Sequence, residues 1–187
     1  MMTDEEPQVL EPVELFERAA TNAAAMVEEV GPDERGLATP CSAWDVAALV
    51  DHMTGGTTYL LTALERDGAP PATGAGAYRT QVARCVDALR EPGALELRCM
   101  SPAGFEWFVG EAAVGTAMDQ LVHTWDLAVA IDGDRHLDPE LVETVVAMFL
   151  PQMPEIGRQA GIVGPEVSIP EGASAQDRLL GAMGRQP

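Results

Sequence analysis

A mainly helical protein is what this sequence predicts, on three observations. Apolar residues recur at spacings of three and four through most of the chain, Pro and Gly fall between those stretches, and only one short stretch shows a spacing of two. At 187 residues the chain has room for a core that removes ~70% of its unfolded surface from water. The expected organisation is one domain over residues 12–187, preceded by a disordered acidic tail over 1–11.

Val13, Phe16, Ala20, Ala23, Ala24, Val27 and Val30 mark a first helix that ends near Gly31-Pro32, with an Ala-rich face suited to close approach. In Ser42-Ala43-Trp44-Asp45 the spacing is that of a capping box, in which Ser42 accepts from the Asp45 N–H, so a second helix is expected from there. Its stripe is Val46, Leu49, Val50, Met53, Thr57, Leu60, Leu61 and Leu64, with His52 on the flank. Gly55-Gly56 in its interior costs about 1 kcal/mol each against Ala, which points to close approach by a neighbour or a ligand.

Residues 67–76, with Asp67-Gly68-Ala69-Pro70-Pro71, read as a long crossover connection. Tyr78, Val82, Cys85, Val86 and Leu89 give a third helix, stopped by Pro92-Gly93. The period then changes to two: Leu95, Leu97 and Cys99, the turn Ser101-Pro102-Ala103-Gly104, and Phe105, Trp107 and Val109 spell a small β-hairpin that must lie against helices. A fourth helix is expected from about Glu111 to Ile131, with Gly133 as its left-handed stop. Asp138-Pro139 opens a fifth, bearing Leu141, Val145, Met148 and Phe149 and broken by Pro151 and Pro154. A short last helix runs from about Ala175 to Met183, and the stretch 163–170 reads as irregular or a short edge strand.

Charge and composition narrow the function. Thirty acidic residues oppose eleven basic ones, all arginine, and the net charge of -19 repels nucleic acids and anionic membranes, so neither is expected as a partner. Apolar runs are short and the N-terminal stretch has no export pattern, which predicts a soluble, cytoplasmic protein. Cys41, Cys85 and Cys99 are then reduced thiols, with Cys85 and Cys99 on apolar faces.

The chemistry-bearing stretch is Met118 to Asp126, where Asp119 and His123 stand four apart on one side of the fourth helix. Two donors one turn apart suit a metal ion; the same spacing suits a solvated hydrogen-bonded pair. A catalytic zinc takes three protein ligands, and His52 on a different helix is the obvious third, although a flank or core histidine is an equal reading of it. His136, in a polar loop, reads as a surface residue. Ala112, Thr116 and Ala130 share a side with Asp119 and His123 and would line either a solvated face or a pocket. Glu106, Glu111 and Asp126 could support a site from outside but read more simply as helix-end or surface charges.

Thr39-Pro40-Cys41-Ser42-Ala43-Trp44-Asp45-Val46, followed by Leu49-Val50-Asp51-His52-Met53 and Gly55-Gly56, resembles the N-terminal signature of the DinB-like superfamily. Asp119 to Ala128, with its His-Thr-Trp-Asp-Leu-Ala core, and the stretch Pro165-Glu166-Val167-Ser168-Ile169-Pro170 through Gly181 resemble later segments of its actinobacterial metal-binding branch, related to the N-terminal domain of mycothiol-dependent maleylpyruvate isomerases. The resemblance implies a DinB-like four-helix bundle with a long crossover, here with a small hairpin and extra C-terminal helices. It also implies a divalent metal held by His52, Asp119 and His123. Two departures stand out: Asp119 replaces the Glu of the isomerases, and Val129 stands where relatives often carry Arg, so maleylpyruvate itself is not implied.

The implied activity is that of a thiol S-transferase or isomerase. A Zn2+ ion, alternatively Ni2+ or Fe2+, lowers the pKa of a low-molecular-weight thiol such as mycothiol, which then attacks a small electrophilic substrate. A metal-dependent hydrolase using water and a non-catalytic metal-binding or stress-linked protein are the alternatives, and either a monomer or a homodimer fits the sequence.

Overall fold

The computed structural model describes residues 9–65, 74–150 and 152–187. Residues 1–8, and the connection expected over 67–76 up to residue 73, lie outside the described residues. Among the described residues the chain divides into two compact units, one within Pro12–His136 and one that joins residues 9–11 to Leu137–Pro187.

In the larger unit, α1 spans Pro12–Glu29, α2 Val46–Ala63, α3 Ala75–Leu89 and α4 Val109–Ala130. Antiparallel strands β1 (Arg98–Met100) and β2 (Glu106–Phe108) lie between α3 and α4, pairing Arg98 with Phe108, Cys99 with Trp107 and Met100 with Glu106. Helix α1 lies against α3 and α4, and α2 lies against the same two, so four helices enclose one core. The Ala-rich face of α1 does what its small side chains permit. Ala19, Ala20, Ala23 and Ala24 are all buried, and α4 comes in close against this helix.

Helix α4 is the central element. It meets α1 on one side and α2 on the other, so both of its faces are covered. Val114, Ala117, Leu121 and Trp125 are buried, and so are Ala112, Thr116 and His123 on the side that a solvated face would have used. The small residues there admit a neighbour: a Cβ built on Gly56 would sit 3.0 Å from Gln120 Nε2 and 3.1 Å from Thr116 Cγ2. Gly55 differs, with nothing within 4 Å of such an atom.

Several boundaries move for local reasons. Helix α2 starts at Val46 with Asp45, rather than Ser42, as its cap; Asp45 Oδ1 accepts from the Ala48 N–H at 2.9 Å. Ser42 and Ala43 are used in a turn closed by the Trp44 N–H on the Cys41 carbonyl at 2.9 Å. At the end of α4 the left-handed residue is Asp132 (φ 55), not Gly133. The Gly133 N–H then closes on the Ala128 carbonyl at 2.8 Å, as a Schellman stop requires. Cys99 is only half-buried, its strand being a hairpin edge, whereas Cys85 is fully buried.

In the smaller unit, α5 (Pro139–Phe149) is capped by Asp138 and lies against α7 (Ala175–Ala182). A further helix, α6 (Met153–Gln159), forms where two prolines read as breakers; Pro154 sits in its first turn, where a missing N–H costs nothing. Residues 163–170 form no strand; the Val167 N–H instead donates to the Gly181 carbonyl at 2.9 Å. The protein is thus mainly helical with one two-stranded antiparallel sheet among the described residues, and no helix there is long and apolar enough to cross a membrane.

Candidate metal centre

Helices α2 and α4 run side by side at Gly56, and their closeness brings His52 on one within reach of Asp119 and His123 on the other. Asp119 Oδ1 is 3.2 Å from His52 Nε2 and 3.3 Å from His123 Nε2. The two imidazole rings stand nearly perpendicular, at 82°, with centroids 4.8 Å apart. All three residues singled out in the sequence are therefore gathered at one point. His136 is elsewhere, in the solvent, paired with Asp134 at 2.6 Å.

The two histidines are held differently. His52 is half-exposed and stacks on the indole of Trp44, with centroids 4.4 Å apart and planes 30° apart. His123 is buried, and its Nδ1 lies 2.8 Å from Oδ2 of Asp126, a carboxylate with no solvent exposure. A carboxylate only accepts, so the Nδ1–H is the donor. Cys41 joins the same oxygen, its S–H donating at 3.3 Å, with Sγ 3.9 Å from His123 Nδ1.

The charges interlock accordingly. Burial pushes the His123 imidazole down, but the Asp119 charge and hydrogen bonds with Asp119, Asp126 and Cys41 hold it well above its ordinary value. Burial pushes Asp119 up, yet the His123 charge and hydrogen bonds with both histidines hold its carboxyl well below the usual carboxylate range.

Asp126 is the residue that sequence reasoning placed at the surface. Its signal was its position three after His123, on the same side of α4. Cys41 and Trp44 reach the centre through loop 38–45, shaped by Thr39, whose hydroxyl accepts from the Cys41 N–H at 3.1 Å and donates to the Trp44 carbonyl at 2.9 Å. Glu111 and Glu106 serve elsewhere: Glu111 accepts from the Phe108 N–H at 2.7 Å at the start of α4, and Glu106 pairs with Arg98 at 2.7 Å on the hairpin.

Two imidazoles and a carboxylate are the donor set of zinc, nickel and non-haem iron sites. At bonds of about 2.0–2.1 Å, donors at the corners of a tetrahedron stand about 3.3 Å apart, close to the 3.2 and 3.3 Å found around Asp119 Oδ1. The residues present are of the types that hold such an ion, and their ligand atoms all lie within 4.8 Å of one another.

Fold and site together define a mainly helical protein with a His/Asp/His cluster between two helices. The chain is similar to two proteins of Mycobacterium tuberculosis, both described as uncharacterized, from strains CDC 1551 / Oshkosh and ATCC 25618 / H37Rv. Each is 29% identical over 181 residues, which covers 94% of this chain and 98% of the relative. No family model matches the chain, and no solved structure matches it.

Proposed function

We propose that this protein is a divalent-metal-dependent enzyme of the DinB-like type, a thiol S-transferase or isomerase, with the ion held by His52, Asp119 and His123. The observation that carries the reading is the position of Asp119 Oδ1, at 3.2 and 3.3 Å from two imidazole Nε2 atoms borne on different helices. When bound, Zn2+ supplies Lewis acidity that lowers the pKa of a thiol at its open side.

The protein's own residues do the rest. Asp119 brings one negative charge, so the three-ligand set leaves a net positive charge on a divalent ion. The side chains of His52 and Asp119 are 37% and 32% exposed, so a small molecule approaches from their side, while buried His123 closes the back. Trp44, stacked on His52, forms an apolar wall beside that opening. A net charge of -19 favours a thiol without net charge, such as mycothiol, over anionic glutathione.

Cobalt-loaded protein titrated with each thiol tests this. Mycothiol should produce a sulfur-to-cobalt charge-transfer band, and glutathione should need at least roughly tenfold more to do so. If cobalt binds but neither thiol changes the spectrum, the thiol reading fails and hydrolysis or simple metal binding takes its place.

A further inference from the structure

The strongest feature outside the three ligands is a chain of contacts behind His123: Cys41 on loop 38–45, Asp126 on α4, and then the far nitrogen of the ring. We propose that Asp126 is a positioning residue for the metal centre, fixing the tautomer and angle of His123, and that Cys41 anchors Asp126 to the loop. The inference rests on the metal reading above and adds residues to it.

Three observations carry it. Asp126 has no solvent exposure, and a carboxylate that buried is retained only where its acceptor capacity is used. Its Oδ2 receives the Nδ1–H of His123 at 2.8 Å and the Cys41 S–H at 3.3 Å, so one oxygen ties the ring to the loop. With Nδ1 committed to that bond, Nε2 is the nitrogen that faces Asp119 Oδ1 and His52, on the open side. The loop holds the second ligand too, since Trp44, three residues after Cys41, stacks on His52. Segment 38–45 therefore braces both imidazoles, one by stacking and one through Asp126.

Two contacts at Asp126 Oδ2, one from its own helix neighbour and one from the loop, meet at His123 Nδ1. An Asp126→Asn change keeps the shape and one acceptor oxygen but removes the charge that orients the ring.

The test uses the full chain with Co2+ and Zn2+ as probes. Asp126→Asn should fold with the circular dichroism of the parent, bind Co2+ about 10–100-fold more weakly and shift the cobalt d–d bands. In the zinc form, 15N chemical shifts should report His123 protonated at Nδ1 and metal-bound at Nε2 in the parent, with a mixture of ring states in the variant. Cys41→Ala, at a half-exposed position, should fold regardless and weaken Co2+ binding by a smaller factor, about threefold, while Cys41→Ser should restore the parent value.

Parent-like Co2+ affinity and spectra in Asp126→Asn overturn the inference while leaving the metal reading intact. Should Asp126→Asn fail to fold, parent-like affinity in Cys41→Ala overturns it. A parent that binds neither Co2+ nor Zn2+ removes the metal reading and the inference with it.

Discussion

Asp119 and Gln120 are adjacent on α4 and belong to two different polar clusters. Gln120 turns inward: its Oε1 accepts from the Tyr78 hydroxyl and its Nε2 donates to the Met53 carbonyl at 2.8 Å, tying α4 to α3 and α2. Close by, the Thr57 hydroxyl donates to Gln81 Oε1 at 2.8 Å. These groups are neutral, buried and mutually satisfied, so they specify which helix faces meet. Asp119 turns toward the gap between α2 and α4, where ionisable groups converge on one point and stay partly open to solvent. Polar groups thus serve architecture where donors and acceptors cancel in the core, and the proposed ion site is where three groups able to ligate a metal converge at its edge.

The contrast can be broken at either end. The largest effect is expected at the open cluster: His123→Ala should weaken zinc binding by more than about 100-fold, beyond the 10–100-fold typical of losing an outer partner. Equilibrium dialysis against a competing chelator measures it, and retained stoichiometric zinc would break the comparison. At the closed cluster, Gln120→Leu leaves the buried Tyr78 hydroxyl without its acceptor. The expected loss is about 2–3 kcal/mol, or ~5–10 °C in Tm, with zinc affinity unchanged. A Gln120→Leu protein that melts like the parent but loses zinc would reverse the two roles.

Smaller shifts sharpen the boundary between the two clusters. Gly56→Ala should destabilise by about 1 kcal/mol, because its methyl meets Thr116 and Gln120. Gly55→Ala should stabilise by about as much, since it restores helix propensity with nothing in the way. Chemical denaturation of the pair reads both signs. The smallest effect concerns thiols: burial pushes Cys85 up to about 12, so it should resist alkylation at neutral pH in the folded chain, while half-exposed Cys41 and Cys99 react.

Helical periodicity made α1 to α5 and α7 legible, and the switch to a period of two located the hairpin, because burying one face writes its spacing into the sequence. The covered second face of α4 was not legible. Ala112, Thr116 and Asp119 read equally as a solvated side or a pocket lining until α2 is brought against them at Gly56. Within the site, His52, Asp119 and His123 could be named from helical spacing and the resemblance. Asp126 carried a weak signal three residues after His123, and read alone it was a surface charge. Trp44 and Cys41 depend on a turn built around the Thr39 hydroxyl, a tertiary arrangement with no period to betray it.

The proposed function requires one divalent ion between α2 and α4. The direct measurement is a calorimetric zinc titration of chelator-stripped protein, run beside a His52→Ala/His123→Ala double variant. One zinc per chain in the parent and none in the double variant is the predicted result. Equal zinc uptake by both proteins, or none by the parent, would contradict it.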